Sequence, residues 1–397
     1  MIRLSDLNLS ELFTPRTMDM RFPSIAAMER VAKRRTPKFA WDYTSGGIGD
    51  EQGMARNLSA FHDIRFVPRY LNEIEAPDLT TKVLGQTHAA PFGPGPVGLT
   101  GLMWPDAPLH ILRGAAEHGL PGGLSSVATN SVEEGGAILG PNLWFQLYPM
   151  RDPEPEADML KRFEAVGGEV LLVTVDVPGQ TRRQRDIGNG LAVPPRQDWR
   201  TYLQGAMRPA WAWETVKTGF PTFKTITRYV PGTDKTPHAF GHYLSTVLGG
   251  HNPADRLKRF RDLWPGKLVI KGLLGLDDVR TAMDIGADGI IVSNHGGRQL
   301  DAAPTAVEVL PAIRQLVGGK MAILADGGVR TGLDIAKYLA LGADFVLLGR
   351  PLVWSVCAAG AAGPPHALDV LKQELATTLN QIGCSDYRDL AKFRYHP

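Results

Sequence analysis

Residues 289–301 read Gly289-Ile290-Ile291-Val292-Ser293-Asn294-His295-Gly296-Gly297-Arg298-Gln299-Leu300-Asp301. The first four form a short, β-branched apolar run, which predicts a strand buried on both faces. Behind it come His295, two glycines and Arg298. Imidazole exchanges protons near neutral pH, and a guanidinium grips carboxylates. A proton acceptor and an anion clamp on one strand-end loop are what a parallel barrel carries where it does chemistry. The competing reading is a polar turn after a strand.

Working outward, seven further segments read as strands: Pro91–Gly98, Gly122–Val127, Leu143–Tyr148, Val170–Asp176, Leu268–Gly272, Ala322–Gly327 and Phe345–Gly349, with Gly289–Asn294 the sixth of eight. Helical periodicity separates most of them, as in Leu160 and Phe163, then Leu310, Ile313 and Val317, then Leu333, Ala336 and Leu339. Strands alternating with helices pair in parallel, and eight rounds predict an α/β fold, the (β/α)8 or TIM barrel. Residues 267–294 and 321–350 echo each other: strand, Gly272 or Gly327, turn, helix, Gly-Ala-Asp at 286–288 or 342–344, strand. Stacked βα units produce such similarity.

Two stretches break the rhythm. Residues 1–89 form an N-terminal helical segment, with a helix over Pro23–Arg35 and a helix end in Trp41-Asp42-Tyr43-Thr44-Ser45-Gly46-Gly47. This segment is expected to cover the bottom of the barrel and lend a residue to its top; residues 1–20 receive no role. Residues 90–397 are expected to form the barrel, including a long insertion, 177–266, after the fourth strand. It is proline-spotted and carries Trp199, Trp211, Trp213, Phe220 and Phe223 among Arg and Lys. Loops that long are uncommon unless functional. It reads either as a lid with one or two helices on the barrel side or as a surface docking on a membrane.

Composition narrows the function. The chain has 397 residues, 43% of them hydrophobic, enough for one large barrel core. Lys+Arg at 43 against Asp+Glu at 41 leaves a net charge of +2, so no global field recruits nucleic acid, and an anionic substrate must be caught by particular arginines. Cys357 and Cys384, far apart, read as thiols of a reducing compartment. No apolar run reaches membrane-span length and the N-terminus lacks a signal pattern, so cytoplasmic residence is expected, peripheral on the inner face of a membrane if the insertion docks there.

Several residues carry candidate chemistry. Asp326-Gly327-Gly328-Val329-Arg330 and Gly349-Arg350 end the seventh and eighth strands, the usual phosphate cradle of such barrels. Ser125, Gln146 and Thr174 are polar groups at successive strand ends, costly unless hydrogen-bonded. Lys271, in Val269-Ile270-Lys271-Gly272, is a cation inside an apolar strand, either salt-bridged or facing a ligand. Asp234, His238 and His242 are spaced four apart, but Pro231, Gly232 and Pro237 predict a loop, so no metal site is assigned. His62, His88, His110, His118, His251, His366 and His396 show no ligand pattern and read as surface or helix positions.

The string Ser293–Asp301 is also the signature of the FMN-dependent 2-hydroxy acid oxidase and dehydrogenase family. The chain resembles that family over most of its length, its mandelate-oxidising members above all. The resemblance implies FMN as cofactor, with Val97, Gly98, Ser125, Gln146, Thr174 and Ser293 around the ring. It makes Lys271 the cation beside the pyrimidine edge, and Asp326, Gly327, Gly328, Arg330, Gly349 and Arg350 the phosphate end. It assigns the substrate carboxylate to Arg183, Arg298 and Tyr43, with Trp41 standing where the family has a second tyrosine. His295 becomes the base, Asp176 the carboxylate orienting it, and Tyr148 the partner of the substrate hydroxyl. Removal of the carbon-bound proton and removal of the hydroxyl proton with hydride transfer need the same residues, and both stay open. The (S) enantiomer is implied.

Val127 stands where glycolate-oxidising relatives carry a bulky aromatic, which with Met103 and Trp104-Pro105 nearby predicts a mandelate-like substrate. Gly98 replaces the alanine of most oxygen-using relatives and favours transfer to a quinone or other carrier. Oxygen with peroxide release is the first alternative. A non-redox phosphate- or flavin-binding isomerase is the second, with no use for the arginine clamp. Arg182, Gln184 and Gly190 depart from the usual residues around Arg183. The resemblance also implies a homo-oligomer and a membrane-associating insertion.

Overall fold

The computed structural model describes residues 16–191, 198–232 and 237–396. A hairpin of β1 (Thr81–Val83) and β2 (Gln86–His88) precedes eight strands: β3 (Phe92–Pro94), β4 (Gly122–Ser125), β5 (Leu143–Leu147), β6 (Val170–Thr174), β7 (Lys267–Leu273), β8 (Gly289–Val292), β9 (Ala322–Asp326) and β10 (Phe345–Leu348). Their ladder runs β4-β5-β6-β7-β8-β9-β10-β3, all parallel. The expected eight-stranded barrel is present.

Its one seam without ladder bonds lies between β3 and β4. Pro94 and Pro96 have no N–H to donate there, which also makes β3 shorter than the predicted Pro91–Gly98. The strands still touch: a Cβ on Gly123 would stand 2.6 Å from the Pro96 nitrogen.

Period-two alternation divides the strands' side chains. Trp144, Val170, Leu172, Val269, Ile291, Leu324, Phe345 and Leu347 pack inside the barrel, and Val83 and Leu84 of the hairpin join that cluster at its lower end. Phe145, Leu147, Leu171, Val173, Ile270, Ile290 and Ile323 belong to the larger core shared with the surrounding helices. Both repeats end their helices alike: Asp288 and Asp344 accept the backbone N–H of Leu268 at 2.9 Å and Ile323 at 2.7 Å. Each also pairs with an arginine, Arg261 or Arg314.

Before the barrel, Ser24 caps a helix over Ile25–Arg35, and a second helix runs Lys38–Ser45. A third, Gln52–Ser59, packs beside the loop after β8, where Gly53 N donates to Asp301 at 2.7 Å. The insertion is more helical than expected. Its described residues include helices Gln184–Gly188, Trp199–Ala206, Pro209–Thr218, Pro237–Val247 and Ala254–Leu263. His238 and His242 therefore lie on a helix, not a loop: Pro237 opens that helix, where a missing N–H costs nothing. Asp234 lies outside the described residues. Two other expectations fail: Leu333 is exposed, its helix burying Ile335 and Ala336 instead, and His88 is a buried strand residue.

Candidate active site

The alternation that fills the barrel also builds its upper end. Two residues beyond the interior side chains Trp144, Leu172, Val269, Ile291 and Leu324 stand Gln146, Thr174, Lys271, Ser293 and Asp326. Five apolar strands thus end in inward polar groups, and these bond to one another. Ser125 Oγ donates to Gln146 Oε1 at 2.5 Å, and Gln146 Nε2 to Thr174 Oγ1 at 2.9 Å. Lys271 Nζ lies 3.2 Å from Asp326 Oδ2 and 3.1 Å from Ser293 Oγ, which in turn donates to Asp326 Oδ1 at 2.5 Å. Burial disfavours the Lys271 charge, but the Asp326 and Asp176 carboxylates outweigh it and hold its pKa above the ordinary value.

Above these groups opens a cavity of about 590 Å³. Tyr43, Val97, Gly98, Val127, Gln146, Tyr148, Thr174, Arg183, Lys271, His295, Arg298, Asp326, Gly327, Gly328, Arg330, Gly349 and Arg350 all line it. Met103 and Trp104-Pro105, expected beside Val127, do not line it: Met103 and Trp104 are buried in the core, Trp104 under the Arg35 guanidinium. Of the other site residues singled out in the sequence, Ser125, Asp176 and Ser293 do not line it either. They sit behind the wall and hold Gln146, His295 and Lys271 in place.

His295 adopts φ +56°, a left-handed conformation that strains a non-glycine residue. Ser293 Oγ fixes it by accepting its backbone N–H at 2.9 Å, and its Nδ1 lies 2.9 Å from Asp176 Oδ1. The other Asp176 oxygen is buried without a hydrogen bond. Burial opposes the Asp176 charge, yet His295 and Lys271 together hold its pKa below the usual carboxylate value. The pair leaves Nε2 of His295 as the ring nitrogen free to exchange a proton in the cavity.

Beside it, two guanidiniums converge on Tyr43. Arg298 and Arg183 place their central carbons 5.2 and 5.7 Å from the Tyr43 ring centre. Arg183 pairs with Asp186 at 3.1 Å, and Arg298 donates to the carbonyls of Tyr43 at 2.6 Å and Gly46 at 2.9 Å. Burial, with the like charge of Arg183, pushes Arg298 down to about 10. Two neighbouring cations, Arg298 buried and Arg183 partly exposed, with Asp186 as their nearby carboxylate, form a site that an added anion stabilises. The phenol of Tyr148, at the end of β5, is raised by burial and by the nearby Asp176 and Tyr43.

The far end of the cavity carries Gly327-Gly328, Arg330 and Gly349-Arg350. Gly328, at φ +77°, admits no side chain, since a Cβ would come 2.0 Å from the Asn57 carbonyl. A Cβ on Gly349 would meet only Val97 Cγ2, at 3.6 Å, so its backbone is open towards the cavity. Arg330 stacks over Trp354 at 4.6 Å. Arg350 is more occupied than its sequence position implied: it donates to the carbonyls of Thr44, Gly296 and Gly46 at 2.9–3.0 Å. It thereby caps the C-terminal end of helix Lys38–Ser45, whose last carbonyls lack intrahelical partners. A glycine cradle on the cavity wall, a row of amide and hydroxyl groups, and a buried ammonium fit the phosphate, the polar ring edge and the negative charge of a reduced FMN ring.

Sequence reasoning missed several supports. Asn57 and Asn294 exchange amide hydrogen bonds at 2.9 Å, tying helix Gln52–Ser59 to the His295 loop. Asn189 donates to Asp42 at 2.8 Å, fastening the Arg183 turn to the helix of Tyr43, and Arg185 pairs with Glu51, tying it to the start of helix Gln52–Ser59. The Tyr338 hydroxyl lies 2.8 Å from the carbonyls of Asp326 and Gly327. Asn294 and Asp301 flank His295 in the quoted string, the one signal that could have exposed this scaffold.

The described part of the insertion splits its aromatics. Trp211 is buried, edge-on to Phe39 at 5.8 Å, with its Nε1 donating to the Leu102 carbonyl at 3.1 Å. Phe223 lines the cavity. Trp199, Trp213 and Phe220 are 61–68% exposed, alongside exposed Tyr202, Leu203, Met207 and Val216. Among the described residues no helix is long and apolar enough to cross a membrane.

A family model described as FMN-dependent dehydrogenase matches residues 32–396. An L-lactate dehydrogenase of Caulobacter vibrioides is 38% identical over 366 residues, spanning 91% of this chain and 94% of that protein. A putative L-lactate dehydrogenase of Mycobacterium tuberculosis is 38% identical over 369 residues, 93% of this chain and 87% of its own length. Among solved structures, (S)-mandelate dehydrogenase, described as a monotopic membrane protein, superposes with a TM-score of 0.89 at 34% identity, over 94% of this chain and 99% of that one. Mandelate oxidase superposes with a TM-score of 0.79 at 31% identity, over 94% and 98%.

Proposed function

The chain belongs to the FMN-dependent dehydrogenase family, and on that premise we propose that it oxidises an (S)-2-hydroxy acid with a mandelate-like side chain to the 2-keto acid. FMN, when bound, takes the two electrons that the substrate gives up. The residues around it do the rest. Arg183, Arg298 and Tyr43 hold the carboxylate, supplying charge and a fixed orientation. His295 accepts the proton, and the Asp176 carboxylate at its Nδ1 stabilises the imidazolium that results. Tyr148 donates to the oxygen of the reacting hydroxyl. Lys271 would be the cation at the edge of the bound ring, offsetting the negative charge that reduction puts there.

The observation that carries this reading is the meeting of His295 with the Arg183–Tyr43–Arg298 cluster in one cavity. An isomerase acting on a phosphate ester would have no use for that second anion site. Anaerobic addition of (S)-mandelate to the purified yellow protein tests it: the flavin absorbance bleaches, and no bleaching by any 2-hydroxy acid rejects the reading.

The electron acceptor is proposed to be a quinone or another carrier. Gly98, where most oxygen-using relatives have alanine, supports this; a methyl there would come 2.7 Å from Val127 Cγ2 and change the packing of the cavity wall. Rapid reoxidation of the bleached enzyme by air, with peroxide, would favour the oxidase reading that the mandelate oxidase structure represents. The exposed aromatic strip 199–220, with Arg200, Arg208 and Lys217 in it, supports peripheral docking on the inner face of a membrane. Co-sedimentation with anionic vesicles reads this. The family likeness supports a homo-oligomer, read by light scattering.

A further inference from the structure

The tryptophan at position 41, where the family carries a second tyrosine, belongs to a stack of two indoles and a guanidinium. Trp41 and Trp354 lie with ring centres 6.0 Å apart and planes 21° from parallel. The Arg330 guanidinium sits over the Trp354 ring at 4.6 Å. Both indoles are buried, while Arg330 reaches the cavity wall at its glycine-cradle end.

Each member comes from a different segment. Trp41 lies on helix Lys38–Ser45, Trp354 on helix Arg350–Ala359 one turn after Arg350, and Arg330 on the loop after β9. Trp354 Nε1 donates to Ser45 Oγ at 3.3 Å, which fixes the indole against the helix of Tyr43. Arg330 is held at its root. Its backbone N–H and that of Thr331 donate to Asp334 at 2.9 and 3.0 Å, and its Nη1 donates to the Val329 carbonyl at 2.8 Å. No ion pair neutralises it among the described residues. Glu29 and Asp334 act on it only from a distance, and burial holds its pKa below the ordinary value.

A long, flexible arginine must lose rotamer freedom to grip an anion. Stacking on an indole face takes that loss beforehand and keeps the planar fork in one orientation, while the ring quadrupole stabilises the charge. We propose that Trp354, braced by Trp41, is a positioning residue that holds Arg330 ready for the FMN phosphate. The stack therefore raises affinity for the phosphorylated flavin and leaves the affinity for the bare ring system alone. This rests on the reading that places the phosphate at Gly327, Gly328 and Arg330, and adds what keeps the arginine there.

The test uses the full-length holoenzyme incubated with increasing riboflavin, which has the same ring and no phosphate. Released FMN, separated and quantified by fluorescence, gives the ratio of FMN to riboflavin affinity. R330M lowers that ratio roughly 10–150-fold, as loss of a charge-assisted contact does. W354L lowers it roughly tenfold and W41L about threefold, while W354F, which keeps an aromatic face, stays within about threefold of wild type. In the R330M background W354L lowers it by less than about twofold more, because the contact it supports is already gone. A purely structural tryptophan weakens both flavins alike, so an unchanged ratio in folded W354L and W41L overturns the proposal. A ratio indifferent to R330M overturns it too; that arm needs no tryptophan variant and leaves the oxidation reading intact. Purified wild type that carries no flavin and takes up none overturns both readings together.

Discussion

His295 Nδ1 stands 2.9 Å from Asp176 Oδ1, on loops that end the sixth and fourth barrel strands and lie 119 residues apart in the chain. The contact fixes which imidazole nitrogen faces the cavity and sets a negative charge behind it. Replacing His295 by Gln removes the proton acceptor, and kcat is expected to fall roughly 10²–10⁴-fold. D176N keeps the shape but loses the charge, so kcat falls about 10–100-fold, equal to about 1.4–2.7 kcal/mol. Flavin reduction by stopped flow measures both, with the oxidised spectrum reporting that the ring is still held.

Arg183 and Arg298 crowd one face of the site, and the pH profile should show it. Arg298 is pushed down to about 10, first by burial and then by Arg183. As pH rises through that value the clamp loses a charge, so kcat/KM for an anionic acid falls on the alkaline side. R183M removes the repulsion and shifts that limb upward. R298M raises KM roughly 10–150-fold, the worth of charge-assisted hydrogen bonds at about 1.5–3 kcal/mol. An alkaline limb that stays put in R183M would show that the two cations do not interact.

Much of this site was legible because strands obey a period of two. Lys271, Gln146 and Thr174 are polar residues in otherwise apolar strands, and their spacing from interior side chains such as Val269, Trp144 and Leu172 puts them on the barrel axis. Supports that depend on distant segments meeting left no such trace. Asn57 finds Asn294 across 237 residues, and Arg185 finds Glu51 across 134. Pro237 misled for a different reason: the same residue breaks a helix interior and starts a helix well. Arg350 lines the cavity, but the carbonyls it binds lie at the end of helix Lys38–Ser45, whose docking no local pattern announces.

Gly98 and Val127 form a packing pair. With a Cβ on residue 98 only 2.7 Å from Val127 Cγ2, G98A overpacks the wall and should cost about 1–3 kcal/mol. Adding V127A returns most of that loss, because the smaller residue makes room for the methyl. The double-mutant cycle in urea therefore shows a coupling of 0.5 kcal/mol or more. Additive single effects would mean that the two residues do not share this space.

His88 lies at the lower end of the barrel, 2% exposed, with both ring nitrogens unbonded and its ring edge-on to Trp144 at 5.9 Å and Phe345 at 6.1 Å. Burial lowers its pKa from 6.5 to about 4. The folded state thus resists protonation there, and the unfolded chain takes up the proton first as pH falls. The stability this represents is complete above pH 6.5 and is lost progressively between 6.5 and about 4. At full extent the loss is about 3 kcal/mol. H88F keeps an aromatic in the same surroundings and cannot take a proton. Urea unfolding between pH 7.5 and 4.5 should therefore show wild type losing stability relative to H88F as the pH drops, with carboxylate effects common to both cancelling in the difference. Parallel curves would mean that His88 finds a partner or water when charged, and that the barrel's lower end is not dry.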